Sequence, residues 1–299
     1  MNYYTARLEN GIQLGYANFG KPDGIPAFYF HGLPGSAAEG ELFHDACYKN
    51  NIELFSVERP GYGESKFLDD TSSNINTRPQ YRFSIWAQSL ALLADDLKID
   101  RFYVFAVSGG GPYALACASL LGDRVIAAGI SCGLGPVEND DLKNQMRPMA
   151  TSSFYLASHH PVFLTVVIGN LVQVAAKWFS RKTIEILAKI NLPVDQVALM
   201  QSAANEIMQR TLTRAFIHGS KGAKADLLAA QTHWSFSLEK IKNLHLWHGD
   251  VDRVVPISHS EWVHEHINGS ILHTVKGEGH FSLPICHAQE IVKKTVTDR

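Results

Sequence analysis

Short apolar runs alternate with amphipathic helical patterns through the first 131 residues of the chain. The run at residues 27–30 is almost entirely apolar, which predicts a central strand covered on both faces. Between such runs, apolar residues recur at helical spacing, as at Ile85, Leu90 and Leu93. This alternation is typical of a mostly parallel sheet flanked by helices. The predicted strands are residues 12–19, 27–30, 52–57, 102–106 and 125–131, and the predicted helices are 37–49, 83–97 and 110–121.

The pattern changes after residue 136 and returns after residue 235. Residues from about 137 to 235 carry helical spacing and almost no strand signal. Strand patterns then recur at 244–247 and 271–275, and a helical pattern closes the chain at 283–296. We therefore predict a core domain formed by residues 1–135 and 236–299. A helical cap, or lid, of residues 136–235 is predicted to interrupt it.

One apolar segment, residues 161–176, raises the question of a membrane. A helix needs about 20 apolar residues to span a bilayer, and this run is shorter and contains Asn170 and Gln173. We therefore predict no membrane span. A buried helix, or one that lines an apolar pocket, is favoured over an anchor at the membrane interface.

Composition excludes several classes of function. The chain has 299 residues, a net charge of −2 and a pI near 6.7, so we do not expect it to bind nucleic acid. The cysteines are widely spaced without a C-x-x-C pair, which indicates free thiols in a reducing compartment. No basic and apolar leader pattern is present at the N-terminus, so a cytoplasmic location is expected. The four cysteines are Cys47, Cys117, Cys132 and Cys286.

A serine lies among small residues at the predicted junction of a strand and a helix. The run Ala106-Val107-Ser108-Gly109-Gly110 is close to G-x-S-x-G, the signature of a nucleophile elbow. Alanine in place of the first glycine is a mild departure, because the position requires a small residue where two backbones approach. An ordinary strand–helix loop would also explain the run, so the rest of the chain must decide.

Three further segments follow predicted strands, where the catalytic groups of open α/β sheets gather. The glycine-rich loop at 31–36 is able to present backbone N–H groups inward, and we assign an oxyanion hole to the amides of Leu33 and Gly109. A carboxylate after the strand at 244–247 is either Asp250 or Asp252.

The third segment contains His280, the one histidine in a glycine-flanked loop past a late strand with an acidic residue upstream. The order Ser108, Asp252, His280 is the serine, aspartate, histidine order expected of a triad on this kind of sheet. His248 and the two aspartates also suggest a metal site, but their spacing lacks a metal-binding signature, and we expect no metal.

Together these segments resemble the α/β-hydrolase superfamily over nearly the whole chain apart from the insertion. The resemblance implies the α/β-hydrolase fold with a helical cap, and it favours Asp252, which falls third after Gly249. Ala106 and Glu58, where aspartate is commoner, are departures that remove no chemical group. The motifs are Phe30-His-Gly-Leu-Pro-Gly-Ser36, Glu58-Arg-Pro-Gly-Tyr-Gly-Glu-Ser65, Val107-Ser-Gly-Gly-Gly-Pro-Tyr-Ala114, His248-Gly-Asp-Val-Asp-Arg-Val-Val-Pro256 and Gly277-Glu-Gly-His280.

The expected activity is hydrolysis of a carboxylic ester or related acyl bond without a cofactor. Ser108 is the predicted nucleophile, His280 the base and Asp252 the residue that orients it. We expect a small-molecule substrate with an apolar acyl or alcohol part, from the aromatic content of the cap. The alternative is that the aromatic side chains only pack the cap onto the core. They are Phe154, Tyr155, Phe163, Trp178 and Phe179.

Other functions are compatible with the same residues. A cofactor-free perhydrolase or haloperoxidase, or a C–C hydrolase, would use the same triad. An aminopeptidase would need an acidic recognition site in the cap, and a non-catalytic ligand receptor on the same fold is a different class, which the intact triad disfavours. Acidic candidates in the cap are Glu138, Asp140, Asp141, Glu185, Asp195 and Glu206.

Overall fold

The computed structural model describes residues 2–66 and 82–298, and its centre is a single mixed sheet. The strands lie in the order β1-β2-β4-β3-β5-β6-β7-β8. Both partners of β2 are antiparallel to it, and all later pairs are parallel, which confirms the predicted mostly parallel sheet. The strands are β1 Tyr3–Arg7, β2 Gln13–Gly20, β3 Ile25–Phe30, β4 Ile52–Val57, β5 Phe102–Val107, β6 Val125–Ser131, β7 Leu244–Gly249 and β8 Ile271–Val275.

Helices cover both faces of this sheet. The predicted helix at 37–49 is split into a 3₁₀ helix, Ala37–Phe43, and the helix α1, and the other predicted core helices are confirmed to within one residue at each end. The α-helices are α1 His44–Lys49, α2 Arg82–Asp96, α3 Gly111–Leu120, α4 Asp140–Gln145, α5 Pro148–His159, α6 Gly169–Trp178, α7 Ser180–Lys189, α8 Pro193–Met200, α9 Ser202–Ala215, α10 Lys221–Ala230, α11 Ser258–Glu265 and α12 Ser282–Thr297.

The central strand β5 is apolar along its whole length because both of its faces are buried. In β5, Val104 packs into the cluster that contains Leu90 of α2, whereas Phe105 packs into the cluster that contains Ile291 of α12. Alternate side chains of a strand point to opposite faces, so each face of the sheet receives apolar residues. This burial on both faces is what made β3 to β7 visible as largely apolar runs.

The strand β1 was not predicted. It lies at the edge of the sheet, and of its five residues only Ala6 is buried. An edge strand with one partner and a mostly exposed surface needs no apolar run, so residues 3–7 carried no strand signal.

Helices are the only regular elements in residues 132–243, all of which the structure describes. The apolar segment at 161–176 forms a π-helical stretch, Phe163–Ile168, that runs into α6. The prediction that this segment is buried or lines a pocket is wrong for its outer side, where Leu171 and Val174 are exposed. On the inner side, Val172 and Ala176 pack in an apolar cluster with Tyr62.

Within the described ranges, no helix has the length and apolar character that a membrane crossing requires. The cysteines are all free thiols, three of them buried and Cys286 exposed, which confirms the prediction of free thiols.

Buried charges join the helical insertion to the core. Asp226 of α10 accepts from Arg59 Nε at 2.8 Å, from Tyr113 Oη at 2.7 Å and from Tyr62 Oη at 3.0 Å. The guanidinium of Arg59 is fully buried and also donates to the carbonyl oxygens of His31 and Gly32, at 2.6 and 2.8 Å. A carboxylate from the insertion thus neutralises the charge that holds the loop after β3.

A second ion pair explains the departure at residue 58. The buried carboxylate of Glu58 pairs with Arg214 of α9 and accepts from the backbone N–H groups of Ala37, at 3.3 Å, and Glu64, at 2.8 Å. These three partners come from three different segments. The glutamate therefore connects the insertion with the loops that follow β3 and β4.

We expect Asp226→Ala to lower the free energy of unfolding by about 3 to 5 kcal/mol, because it removes the carboxylate that pairs with the buried Arg59 charge. Asp140→Ala is the matched control, since Asp140 pairs with Lys143 on the surface and its loss should cost under about 1 kcal/mol. Urea unfolding of both variants measures the difference. Equal losses in the two variants would contradict the role of Asp226.

Candidate active site

Ser108 occupies a strained turn between β5 and α3. Its φ is +53°, a left-handed conformation that side chains rarely adopt and that turns the chain sharply from strand to helix. The turn lies so close to the loop after β3 that a Cβ on Gly110 would be 2.3 Å from the carbonyl oxygen of Phe30. Ala106 is still within β5 and packs into the core, so a methyl group is accommodated there.

The side chains of Ser108, His280 and Asp252 form one chain of hydrogen bonds. His280 Nε2 is 3.0 Å from Ser108 Oγ, and His280 Nδ1 is 2.7 Å from Asp252 Oδ2. With the proton on Nδ1 donated to the carboxylate, Nε2 is free to accept from the serine hydroxyl. All three side chains follow strand ends at the same edge of the sheet.

Asp252 is held by the turn in which it lies. Its Oδ1 accepts from the N–H groups of Val254 and Val255, at 2.8 and 3.0 Å. Burial alone would raise the pKa of this carboxyl, but His280 and His248 outweigh it and lower the pKa below its usual range. The other candidate, Asp250, accepts instead from the N–H of Gly277 at 2.6 Å.

The imidazole of His280 is buried against negative charge. Burial disfavours its charged form, but the adjacent Asp252 carboxylate, with smaller contributions from Asp195 and Glu39, raises the pKa of His280 above its usual range. A buried imidazole with a raised pKa, in contact with a serine hydroxyl, has the properties of a general base.

Two backbone amides lie beside the serine. Gly109 directly follows Ser108, and the Leu33 nitrogen is 3.3 Å from the point where a Cβ on Gly109 would lie. That same Cβ would be 2.5 Å from the Leu33 Cβ, so the close approach of the two segments requires glycine at position 109.

The loop that carries Leu33 is fixed from behind. Glu39 Oε1 accepts from the N–H of Gly32 and from the hydroxyl of Tyr29, both at 2.9 Å. The ring of His31 donates to the Gly32 carbonyl at 2.8 Å and accepts from the Arg59 N–H at 3.3 Å. Burial, together with the Arg59 charge, lowers the pKa of His31 well below its usual range, so this ring is neutral and supports the loop.

A carboxylate of the insertion, that of Asp195, also contacts the backbone of His280. Asp195 of α8 is buried and accepts from the N–H groups of His280, Phe281 and Ser282, at 3.3, 2.8 and 2.9 Å. These amides open α12, so the carboxylate caps this helix and fixes the backbone of His280. Sequence analysis included Asp195 among six acidic residues of the cap but had no signal to single it out.

The residues near Asp252 do not fit a metal ion. Ligand atoms of Cys132, His248 and Asp252 lie within 4.8 Å of one another. Both ring nitrogens of His248 are already in hydrogen bonds, with Ser260 Oγ at 2.7 Å and with the Val255 carbonyl at 2.8 Å. Burial raises the pKa of the Cys132 thiol well above its usual range, so the thiolate that a metal needs is disfavoured.

Comparisons with known proteins agree with this architecture. Residues 28–284 match the model of the family described as alpha/beta hydrolase fold. No curated protein sequence matches the chain.

Solved structures of low sequence identity share the fold over nearly full length. A hydrolase from Pseudomonas aeruginosa PA01 is 14% identical, with a TM-score of 0.69, over 99% of this chain and 98% of that one. A bromoperoxidase from Bacillus anthracis is 18% identical, with a TM-score of 0.66 and coverages of 99% and 98%. The esterase EaEST from Exiguobacterium antarcticum is 16% identical, with a TM-score of 0.67 and 98% of both chains covered. The sheet order, the sharp turn at Ser108 and the family match together identify this chain as a member of the α/β-hydrolase fold family.

Proposed function

We propose that this chain is a serine hydrolase that cleaves a carboxylic ester or related acyl bond through Ser108, His280 and Asp252. The observation that carries the proposal is the hydrogen-bond chain from Ser108 Oγ through His280 to Asp252, at 3.0 and 2.7 Å. A nucleophile, a base and a residue that orients the base are the parts that acyl transfer requires.

In the proposed reaction His280 Nε2 takes the Ser108 proton as Oγ attacks the carbonyl carbon. The oxyanion that forms accepts hydrogen bonds from the amides of Leu33 and Gly109, each worth about 3 kcal/mol to the transition state. His280 then gives the proton to the leaving alcohol. Water, deprotonated by His280, attacks the acyl-enzyme and releases the acid while Ser108 regains its proton.

The helical insertion, residues 136–235, is proposed to be the cap over this site. Asp195 and Asp226 both belong to the insertion. Asp195 accepts directly from the backbone of His280. Asp226 pairs with Arg59, which donates to the Gly32 carbonyl in the loop that carries Leu33. Their carboxylates are therefore positioning groups for the reaction. The free thiols agree with the predicted cytoplasmic location, which stays a prediction.

No observation favours one of the other activities over acyl hydrolysis. A perhydrolase, haloperoxidase or C–C hydrolase would use the same triad. For an aminopeptidase, Asp195 makes a poor amine-binding group, because it already accepts three backbone hydrogen bonds. A receptor without turnover would have no need of the hydrogen-bonded serine, imidazole and carboxylate.

We expect Ser108→Ala to reduce hydrolysis of p-nitrophenyl acetate by at least about a thousandfold and to abolish labelling by a fluorophosphonate, because both need the Oγ nucleophile. Ser119→Ala is the control, since Ser119 lies on α3 and its hydroxyl donates to the Ser237 carbonyl away from His280. Labelling that persists in Ser108→Ala would refute the assignment.

A series of p-nitrophenyl esters of increasing acyl length tests the predicted apolar substrate. If the acyl group is apolar, kcat/KM should rise with chain length to a maximum, because each buried methylene contributes about 0.8 kcal/mol. Binding of an ester without release of p-nitrophenol would instead indicate a receptor.

The pH dependence of kcat/KM should report His280. The base must be neutral, and its pKa is raised, so activity should be lost as the pH falls through a midpoint above 6.5. Asp195→Asn keeps an acceptor oxygen but removes a negative charge that favours the imidazolium, so the midpoint should move to lower pH.

Glu185→Gln is the control, because Glu185 pairs with Arg181 on the surface of α7. Its midpoint should equal that of the unsubstituted protein. The interpretation fails if the midpoint of the unsubstituted protein lies below 6.5, or if the two variants shift it equally.

A further inference from the structure

The insertion presents an apolar surface to solvent that the proposed chemistry does not use. Six side chains form it, and we call them the outer face. Large apolar side chains with about half or more of their area exposed are unusual in such density on a protein surface and mark interaction sites. The outer face consists of Val162 (73% exposed), Phe163 (49%), Val166 (56%), Leu171 (66%), Val174 (51%) and Trp178 (70%).

The outer face lies along one continuous helical stretch. The π-helical residues Phe163–Ile168 lead directly into α6, and Leu171, Val174 and Trp178 recur at intervals of three and four, as on one side of a helix. The opposite side carries Val172 and Ala176, which pack in the same apolar cluster as Leu33. Among the residues that the structure describes, this opposite side packs against protein, whereas the outer face is exposed to solvent.

Basic residues flank the outer face. Lys177, Arg181 and Lys182 are all exposed, and the Lys177 ammonium lies 5.5 Å from the centre of the Trp178 ring. Arg181 pairs with Glu185 at 3.3 Å, so Lys177 and Lys182 are the cations beside the outer face that have no acidic partner among the described residues. This local positive charge stands in a protein whose net charge is −2.

We propose that the outer face docks the protein on an anionic lipid surface. An amphipathic helix with an aromatic residue, aliphatic residues and adjacent lysine and arginine lies in the plane of such a surface, with the apolar side chains at the acyl boundary and the cations among the headgroups. No crossing of the bilayer is required. The proposal is independent of the serine hydrolase assignment.

The charges argue against a second copy of this chain as the occupant. A two-fold contact pairs the outer face with an identical outer face, whose six side chains are all apolar and offer no carboxylate to the basic residues beside it. Anionic headgroups neutralise these residues instead. Because the inner side of α6 belongs to the same apolar cluster as Leu33, docking would bring the side of the protein that carries the loop after β3 toward the lipid.

The direct test is co-sedimentation of Ser108→Ala with vesicles of phosphatidylcholine alone or with 30 mol% phosphatidylglycerol (about one lipid in three). The inactive variant keeps the lipids intact, so the result does not depend on catalysis. We expect binding to the anionic vesicles that weakens as salt is added, because the headgroup charges are screened. Tryptophan emission should shift to the blue on binding, and Trp178→Phe should remove most of that shift. Absence of binding to the anionic vesicles would overturn the proposal.

Two combined variants separate the apolar from the electrostatic contribution. The apolar variant combines Leu171→Ser, Val174→Ser and Trp178→Ser, and the charge variant combines Lys177→Glu, Arg181→Glu and Lys182→Glu. Each combined variant should lower the vesicle partition coefficient by at least about tenfold. Leu120→Ser is the control, since Leu120 is exposed on the core, away from the insertion. It should leave the partition coefficient unchanged.

Folding and self-association complete the test. The variants of the outer face should keep the near-UV circular dichroism spectrum and the urea-unfolding midpoint of the protein in which they are made, which shows that they fold. Partition coefficients that match the unsubstituted protein would refute the proposal. The proposal would also be refuted if light scattering showed that the unsubstituted protein is a dimer and that the apolar variant is a monomer, because the partner of the outer face would then be a second copy.

Discussion

The close approach of two loops at the carboxyl edge of the sheet is the constraint on which the rest of this structure depends. The turn after β5 and the loop after β3 come so close that a Cβ at Gly109 or Gly110 would overlap the neighbouring chain. The left-handed conformation of Ser108 is what directs the chain through this gap. The sharp turn exposes the Ser108 hydroxyl to His280 and places the backbone of Gly109 beside the Leu33 amide.

The buried carboxylates of this structure accept hydrogen bonds from N–H groups and are not isolated charges. Asp252 and Asp195 accept from backbone amides, and Glu58 accepts from both amides and a guanidinium. This is the condition under which a buried charge is tolerated. Two of these arrangements, those of Asp195 and Glu58, cross from the insertion to the core, so the insertion contributes to the geometry around His280 and the loop after β3.

The inner and outer surfaces of the insertion differ in their contacts. Its inner side is tied to the core by Asp195, Asp226 and Arg214, through contacts that are polar and directional. Its outer side is apolar with basic neighbours and has no protein partner among the described residues. The helix α6 carries both surfaces: its exposed side forms part of the face proposed to dock on lipid, and its inner side packs in the cluster that includes Leu33.

The amino-acid sequence by itself determined the elements whose burial is complete and the residues whose chemistry is carried by local motifs. Strands β3 to β7 were predicted because both faces are covered, and Ser108 and His280 because each follows a strand within a glycine-rich loop. The tertiary structure decided what depends on distant contacts. It brings Asp252 rather than Asp250 to His280, and it sets Asp195 against amides 85 to 87 positions away. It also left one side of the apolar run at 161–176 exposed, because hydrophobicity along a chain does not specify which surface covers it.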